Sequence, residues 1–576
     1  LNYRYANKTK TQEFRSDDMK IVNILILAGL LGLLFGCDSG RKGGVVDLVL
    51  YNGKIWTVNP GQPWAEAVAI RGERIHKVGT TEEIKTLIGT QTQEIDLKGE
   101  LVLPGFIDSH THFLDGGFAL TSIQLREAAS KEEFIAIVGE KVTKTNSGEW
   151  ILNGDWDQQQ FDPPEMPRKE WIDPVTPQNP VFVNRHDGHM ALANSLALQI
   201  AGITKDSESP PGGTILKDPQ TGEPTGILKD EAMGLVSAHI PDPTIEEKKR
   251  AAQTALRHAN EMGVTSVHEM AYSSHFEVYH ELLKENKLTA RLTVYFSMAE
   301  EDLYSKIERN KAYENDFLKI GGLKGFVDGS LGSFTALFFE PYTDNLEETG
   351  IFVSDMYPEG IMEQRIREAD RSGLQVAVHA IGDRANHVIL DIMEKVIAEG
   401  SLRDRRWRIE HAQHLIPEDI PRFAHIGIIA SVQPYHAIDD GRWAETKIGK
   451  ERAKHTYAFK SLLDAGTRLA CGSDWTVAPL DPISGIYAAV TRRTLDGKNP
   501  EGWIPEQKIS LEDAIKGYTI NGAYAEFAEA SKGSIEAGKL ADLVVLSHDI
   551  FEIPPEDILD AEVLMTILNG EIVYQK

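Results

Sequence analysis

Two histidines one residue apart, His110 and His112, close the apolar run "LPGFIDSHTH" that begins at Leu103. A β-strand places residues i and i+2 on one face, so the two imidazoles converge on a single point. Neutral imidazole suits zinc and similar borderline ions, so the pair is either half of a metal site or simply the polar end of a strand. Four more residues with suitable chemistry stand late in other apolar, strand-like runs. They are Lys324 in "IGGLKGFVDGS", His379 in "LQVAVHAIGD", His411 in "RWRIEHAQ" and Asp474 in "TRLACGSDW". Each has a plainer reading when taken alone. An isolated histidine in an apolar strand is often a hydrogen-bonded core residue, and Lys324 is well spaced to pair with Asp328 four positions on.

The elements that position these residues form a series. Together with "GVTSVHEM" (263–270), "RLTVYFSM" (291–298) and "GIIASVQP" (427–434), the runs number eight, and helix-like stretches such as "PTIEEKKRAAQTALRHANEM" separate them. Eight βα units predict an α/β fold, a distorted TIM (β/α)8 barrel over 104–529, with the ionisable residues at the C-terminal strand ends where barrel active sites lie. Both ends of the chain read differently. Short alternating strands with Asn-Gly turns occupy 45–103 and 530–576, which predicts one small β-sandwich built from the two termini. Residues 113–245, between the first and second barrel strands, are far too long for a βα connection and are expected to be an inserted subdomain over the barrel mouth.

The chain of 576 residues is too long for one core. Its net charge of −27 argues against a nucleic-acid partner. Two cysteines, Cys37 and Cys471, exclude a disulfide framework and any four-thiolate zinc site. Near the N-terminus, "MKIVNILILAGLLGLLFGC" joins a basic start at Met19 to an apolar run too short to span a bilayer. It ends in Leu34-Phe35-Gly36-Cys37, which resembles a bacterial lipobox. That resemblance implies cleavage before Cys37, lipidation of its thiol, and an exported protein anchored to a bacterial membrane on its periplasmic or extracytoplasmic face. A plain cleaved signal peptide or a short anchor is the alternative. Residues 1–37 are set aside as an address segment, 1–18 reading as an upstream extension.

The set His110, His112, Lys324, His379, His411 and Asp474 resembles the amidohydrolase superfamily. "PGFIDSHTH", "GSDW" and the C-terminal "GSIEAGKLADLVVL" support this, and "DGSLG", "RHDGH" and the long insertion are similar to the branch containing N-substituted formamide deformylases, amidohydrolase family 3. The resemblance covers nearly all of 45–576. It implies two divalent metal ions, zinc by default. His110, His112 and Asp474 would bind one, His379 and His411 the other, and a carbamate on Lys324 would bridge them. It also implies that metal hydroxide attacks a carbonyl while Asp474 shuttles the proton.

Other residues are candidates for substrate contact. His268 ends the second strand, where supporting a metal ligand or touching substrate competes with packing. His186 and His189 in "RHDGH" suit a substrate gate or a structural turn. His436 follows the seventh strand, Asp328 the fourth. Trp156 and Trp475 line either an apolar pocket or the core. The expected activity is hydrolysis of a non-peptide C–N bond in a small linear amide, an N-substituted formamide or an acylated amine. A cyclic amide, ester or carbamate is the alternative substrate, and a lipid-anchored binding or regulatory protein on an amidohydrolase scaffold is the alternative of another class. A homo-oligomer is left open.

Overall fold

The computed structural model describes residues 46–126, 128–158, 161–185, 190–210, 213–332 and 334–576. The address segment with Cys37 lies outside the described residues, as do His186 and His189.

Eight parallel strands form one sheet in chain order: β1 (Phe106–Thr111), β2 (Val264–Ala271), β3 (Arg291–Ser297), β4 (Leu318–Phe326), β5 (Gln375–Ala380), β6 (Arg408–His411), β7 (Ile429–Val432) and β8 (Leu469–Cys471). They are the eight expected from the sequence. The barrel closes just beyond the β8 ladder, through a parallel bridge between Thr111 and Trp475. Two backbone bonds reinforce it, Asp474 N to His110 O and His112 N to Trp475 O, both 2.7 Å. β1 and β2 are buried along their whole length, as parallel strands covered on both faces must be.

Helix α1 (Phe113–Thr121) follows β1, and α2 (Ile245–Glu261) leads into β2. Thr244 and Glu247 form a capping box at the start of α2, and Ala251, Ala252, Ala255, Leu256 and Ala259 give it one buried face. The two helices pack against each other very closely. A Cβ at Gly117 would lie 2.1 Å from the Ala251 carbonyl, and one at Gly116 would lie 2.4 Å from the Trp475 ring. The Gly-Gly of "FLDGG" is therefore a packing requirement. Because α1 belongs to the barrel wall, the insertion expected over 113–245 starts only after it.

That insertion carries its own five-stranded sheet, ordered Gly213–Lys217, Pro224–Asp230, Met190–Ala193, Val181–Asn184, Ile151–Leu152. Strand periodicity divides it cleanly: Val181 and Val183 face one apolar cluster, Phe182 the other.

The two chain ends build two further sheets. One contains Arg74–Gly79, Ala67–Arg71, Leu48–Tyr51 and Gln93–Asp96. The other mixes the termini, pairing Leu101–Pro104 antiparallel with Leu543–Leu546, in register Leu543 to Pro104. Leu48, Leu50 and Ile70 from the first sheet and Val102, Leu543 and Ile567 from the second share one core. Leu101–Pro104 runs through Gly105 directly into β1, where a Cβ at Gly105 would meet the Thr265 side chain at 2.4 Å.

Asp542 ties this sandwich to the barrel floor. It takes both ends of the Arg291 guanidinium at 2.7 and 3.0 Å, the Asn569 N–H at 2.8 Å, and its carbonyl accepts from Gly105 N. Asp542→Ala strands a buried arginine, so urea denaturation is expected to show a loss of about 3–5 kcal/mol. A loss below about 1 kcal/mol, the scale of an exposed pair, would show that the pair is no tie.

Candidate metal centre

Three donor atoms meet where β1 and β8 close the barrel. His110 Nε2 lies 3.5 Å and His112 Nε2 3.4 Å from Asp474 Oδ1. Ligands held at roughly 2.0–2.1 Å on a tetrahedral metal stand about 3.3–3.4 Å apart, the edge of that tetrahedron. The two contacts to Asp474 Oδ1 thus have the length of such an edge, and all three donor atoms lie within 4.8 Å of one another. Asp474 also belongs to a second donor group with His411 and His436, whose ligand atoms all lie within 4.8 Å of one another. The His110 and His411 rings are 5.0 Å apart, and His379 sits edge-on to His411 at 4.5 Å.

The charge states suit a metal. Burial, with the Lys324 cation adding to it, pushes His110 down to about 4 and His379 down to about 3. Burial and neighbouring imidazoles hold His411 well below its ordinary value. These rings are neutral at physiological pH, which is the form that ligates. Burial opposes a charge on Asp474, but the surrounding histidines keep its carboxyl well below the usual carboxylate range. Burial also brings Lys324 down to about 8, so about a tenth of this amine is unprotonated at pH 7.

The backbone is bent to aim these groups. His411, Ala412 and Asp474 have φ of 74°, 43° and 60°, a left-handed conformation that non-glycine residues rarely adopt outside sites that need it. Asp108 fastens β1 to the β8 loop by accepting from His110 N at 3.1 Å and Ser473 N at 2.9 Å. Gly472 permits the approach: a Cβ there would lie 2.5 Å from His110 N and 2.7 Å from Asp108 Oδ1. Glu269 of β2 accepts from the Phe113 N–H and, at 3.4 Å, from Leu114 N, capping α1 immediately after His112. His411 is oriented by its Nδ1 against Gln433 Oε1 at 2.7 Å, and His110 by its Nδ1 against Glu410 Oε2 at 2.5 Å.

The residues singled out in the sequence are distributed unevenly. His110, His112, His411 and Asp474 come together. Lys324 lies among them, its Nζ 3.3 Å from His110 Nε2 and its cation over the Phe326 ring. The alternative pairing of Lys324 with Asp328 is not made. Both Asp328 oxygens are taken by the Ile381, Gly382 and Leu337 N–H groups at 2.8–3.0 Å, with His379 Nε2 3.6 Å from Oδ1, so this carboxyl shapes the loops after β4 and β5. His379 commits Nε2 to the Gly329 carbonyl at 3.1 Å and has only Nδ1 to offer.

His436, at the start of helix α3 (Pro434–Asp440), is half-buried, and its Nε2 is sealed from solvent with no hydrogen-bond partner among the described residues. Two expectations are corrected. His268 is wholly buried inside the barrel, where its Nδ1 accepts from Arg408, so it contacts no substrate. Trp156 is also wholly buried; its Nε1–H donates to the Val183 carbonyl in the insertion's own core.

The sequence reading missed Glu410, Arg408, Gln433 and Glu269. A signal existed for the first two. "RIEH" spaces Arg408 and Glu410 two apart, on one face of β6, and two opposite charges inside a barrel strand call for buried partners.

A model of the Amidohydrolase family matches residues 93–574. The chain belongs to this family of metal-dependent hydrolases. It is 42% identical to the protein LONG AFTER FAR-RED 3 of Arabidopsis thaliana over 92% of each chain. It is 28% identical to the N-substituted formamide deformylase of Arthrobacter pascens over 92% of this chain and 98% of that one. Among solved structures, an uncharacterised metal-dependent hydrolase from Pyrococcus furiosus is similar with a TM-score of 0.71 at 31% identity, covering 87% of this chain and 99% of that one.

Gly472→Ala is expected to force β8 away from β1. Overpacking of this kind costs about 1–3 kcal/mol in thermal or urea denaturation, with a matching loss of bound metal. Unchanged stability and metal content would show that the close approach of the two strands is dispensable.

Proposed function

We propose that the protein hydrolyses the C–N bond of a small non-peptide amide, an N-substituted formamide or an acylated amine, using divalent metal held at the C-terminal end of the barrel. The observation that carries this is the placing of His110 Nε2 and His112 Nε2 at 3.5 and 3.4 Å from Asp474 Oδ1, in a largely buried pocket of imidazoles and one carboxylate. Similarity to an N-substituted formamide deformylase along nearly the whole length supports the substrate class.

His110, His112 and Asp474 would hold one ion. His411, with His379 Nδ1, would hold a second, and a carbamate on Lys324 would join the two. Zinc matches the imidazole-rich donor set. When bound, the metal supplies Lewis-acid polarisation of a carbonyl and a water acidified toward neutrality.

The chain's own groups do the rest. Asp474 Oδ1 faces the two β1 imidazoles, while Oδ2 lies 3.9 Å from His411. Oδ2 is therefore the oxygen placed to take a proton from the attacking water and return it to the leaving nitrogen. A ring nitrogen of His436 lies within 4.8 Å of donor atoms of His411 and Asp474, so this imidazole would donate to the substrate carbonyl. If the lipobox-like segment is processed as its resemblance implies, acyl chains on Cys37 would hold this activity at a membrane surface outside the cytoplasm.

Three measurements test this. Metal analysis with and without a chelator is expected to find at least one equivalent per chain and to abolish hydrolysis on its removal; far less than one equivalent, with activity indifferent to chelation, would sink the reading. Asp474→Asn is expected to keep metal while kcat falls about 10²–10⁴-fold, the scale of lost proton transfer, and His436→Ala to raise KM with metal content unchanged. In a bacterial host, Cys37→Ser is expected to end incorporation of labelled palmitate; label that persists in this variant refutes the anchor.

A further inference from the structure

A chain of charged and polar side chains runs down the barrel axis beneath the metal centre. It starts at His110, whose Nδ1 meets Glu410 Oε2 at 2.5 Å. Glu410 is gripped from below by Arg408, Nε to Oε1 at 2.7 Å and Nη2 to Oε2 at 3.0 Å, a two-pronged contact that fixes the carboxylate plane. The remaining Arg408 donors are also spent. The second Nη2 N–H is shared between the Ser109 carbonyl at 2.5 Å and Ser431 Oγ at 2.8 Å, and Nη1 reaches His268 Nδ1 at 2.8 Å and the Tyr295 hydroxyl at 3.2 Å. Below His268 stands Glu526, 3.6 Å from His268 Nε2 and 2.7 Å from the ammonium of Lys532. Arg408, Glu410 and His268 are wholly buried, and Lys532 and Glu526 nearly so.

Stability does not account for this column. Removing charges from water costs several kcal/mol per ion, and a buried ion pair is often replaceable by apolar residues without loss. A barrel of this size is ordinarily filled by layers of branched aliphatic side chains. The charges lie where an aliphatic layer would pack, and the top of the column touches a residue of the metal centre.

A carboxylate only accepts hydrogen bonds, so the Glu410 contact requires His110 to carry its proton on Nδ1. That leaves the Nε2 lone pair bare, and Nε2 is the atom facing Asp474 and Lys324. The other tautomer would set a bare Nδ1 against the Glu410 carboxylate at 2.5 Å, a much closer approach of two acceptors than the 3.5 Å between Nε2 and Asp474 Oδ1.

We infer that Glu410, held rigid by Arg408, is a positioning residue that sets the tautomer and ring orientation of His110. The inference rests on His110 being a metal ligand. Its action is through the imidazole alone: Glu410 reaches neither metal nor substrate, and its negative charge makes the ring a stronger donor.

The test uses the full chain. Metal affinity is measured by competition with a chromogenic chelator, and the His110 tautomer by 15N NMR of metal-free, 15N-histidine-labelled protein, assigned by its absence in His110→Asn. The parent chain is expected to show His110 protonated on Nδ1. Glu410→Gln, which keeps the shape and removes the charge, is expected to bind metal about 10–100-fold more weakly and to lose the single tautomer. Glu410→Ala is expected to do the same or worse.

A parent His110 protonated on Nε2 overturns the inference, as does a Glu410→Gln affinity within twofold of the parent. If neither variant folds, the tautomer in the parent chain decides. A parent chain that binds no metal defeats the metal-centre reading and this one with it; one that binds metal as tightly without the Glu410 charge defeats this one alone.

Discussion

An ionised carboxylate inside a protein must be met by opposite charge, hydrogen bonds or a metal. Asp474 imposes that constraint on this barrel. It sits on a left-handed residue just past β8, with His110, His112 and His411 around it. Its own amide donates to the His110 carbonyl, one of the bonds by which the last strand closes onto the first. Barrel closure and ligand spacing are therefore set by the same contacts. Gly472 and Asp108 belong to that arrangement too, since one removes the side chain that would keep the strands apart and the other accepts from both of them.

The frame of this arrangement was legible in the sequence because it is periodic. Eight apolar runs separated by helical stretches define the barrel, and ionisable residues late in those runs fall at one end of it. Roles that depend on a partner distant in sequence were less accessible. The Lys324–Asp328 pairing assumed that nearness along the chain persists past a strand end. In the structure the backbone turns, and Asp328 is captured by three N–H groups, one from its own loop after β4 and two from the loop after β5. His268 and Trp156 show the limit of residue type: an imidazole or indole that suits a pocket suits a core equally well once its N–H or lone pair finds a partner.

Glu410 was hidden for a different reason. In a regular strand it points away from the face of Ile409 and His411, so His411 and Glu410 would not serve the same centre. The left-handed turn at His411 breaks that alternation. His411 swings to the mouth while Glu410 keeps the interior direction and reaches His110 from beneath. No hydropathy pattern carries information about one positive φ in a polar residue, although the charge pair in "RIEH" pointed to something buried. The insertion stands apart from these demands. Its sheet has apolar clusters on both faces, supplied mainly by its own residues.

The continuity of Leu101–Pro104 with β1 bears on how the molecule is made. The strand that delivers His110 is among the first synthesised, yet its sandwich neighbour, Leu543–Leu546, lies more than 400 residues downstream. β8, which closes on β1, also emerges late. A nascent chain thus carries an unpaired strand edge on one side and an open barrel on the other through most of its synthesis. Pairings this distant in sequence form slowly and leave incomplete intermediates open to aggregation. The histidines that begin the site are translated early, but the surfaces that hold them in place exist only when the ribosome has nearly finished.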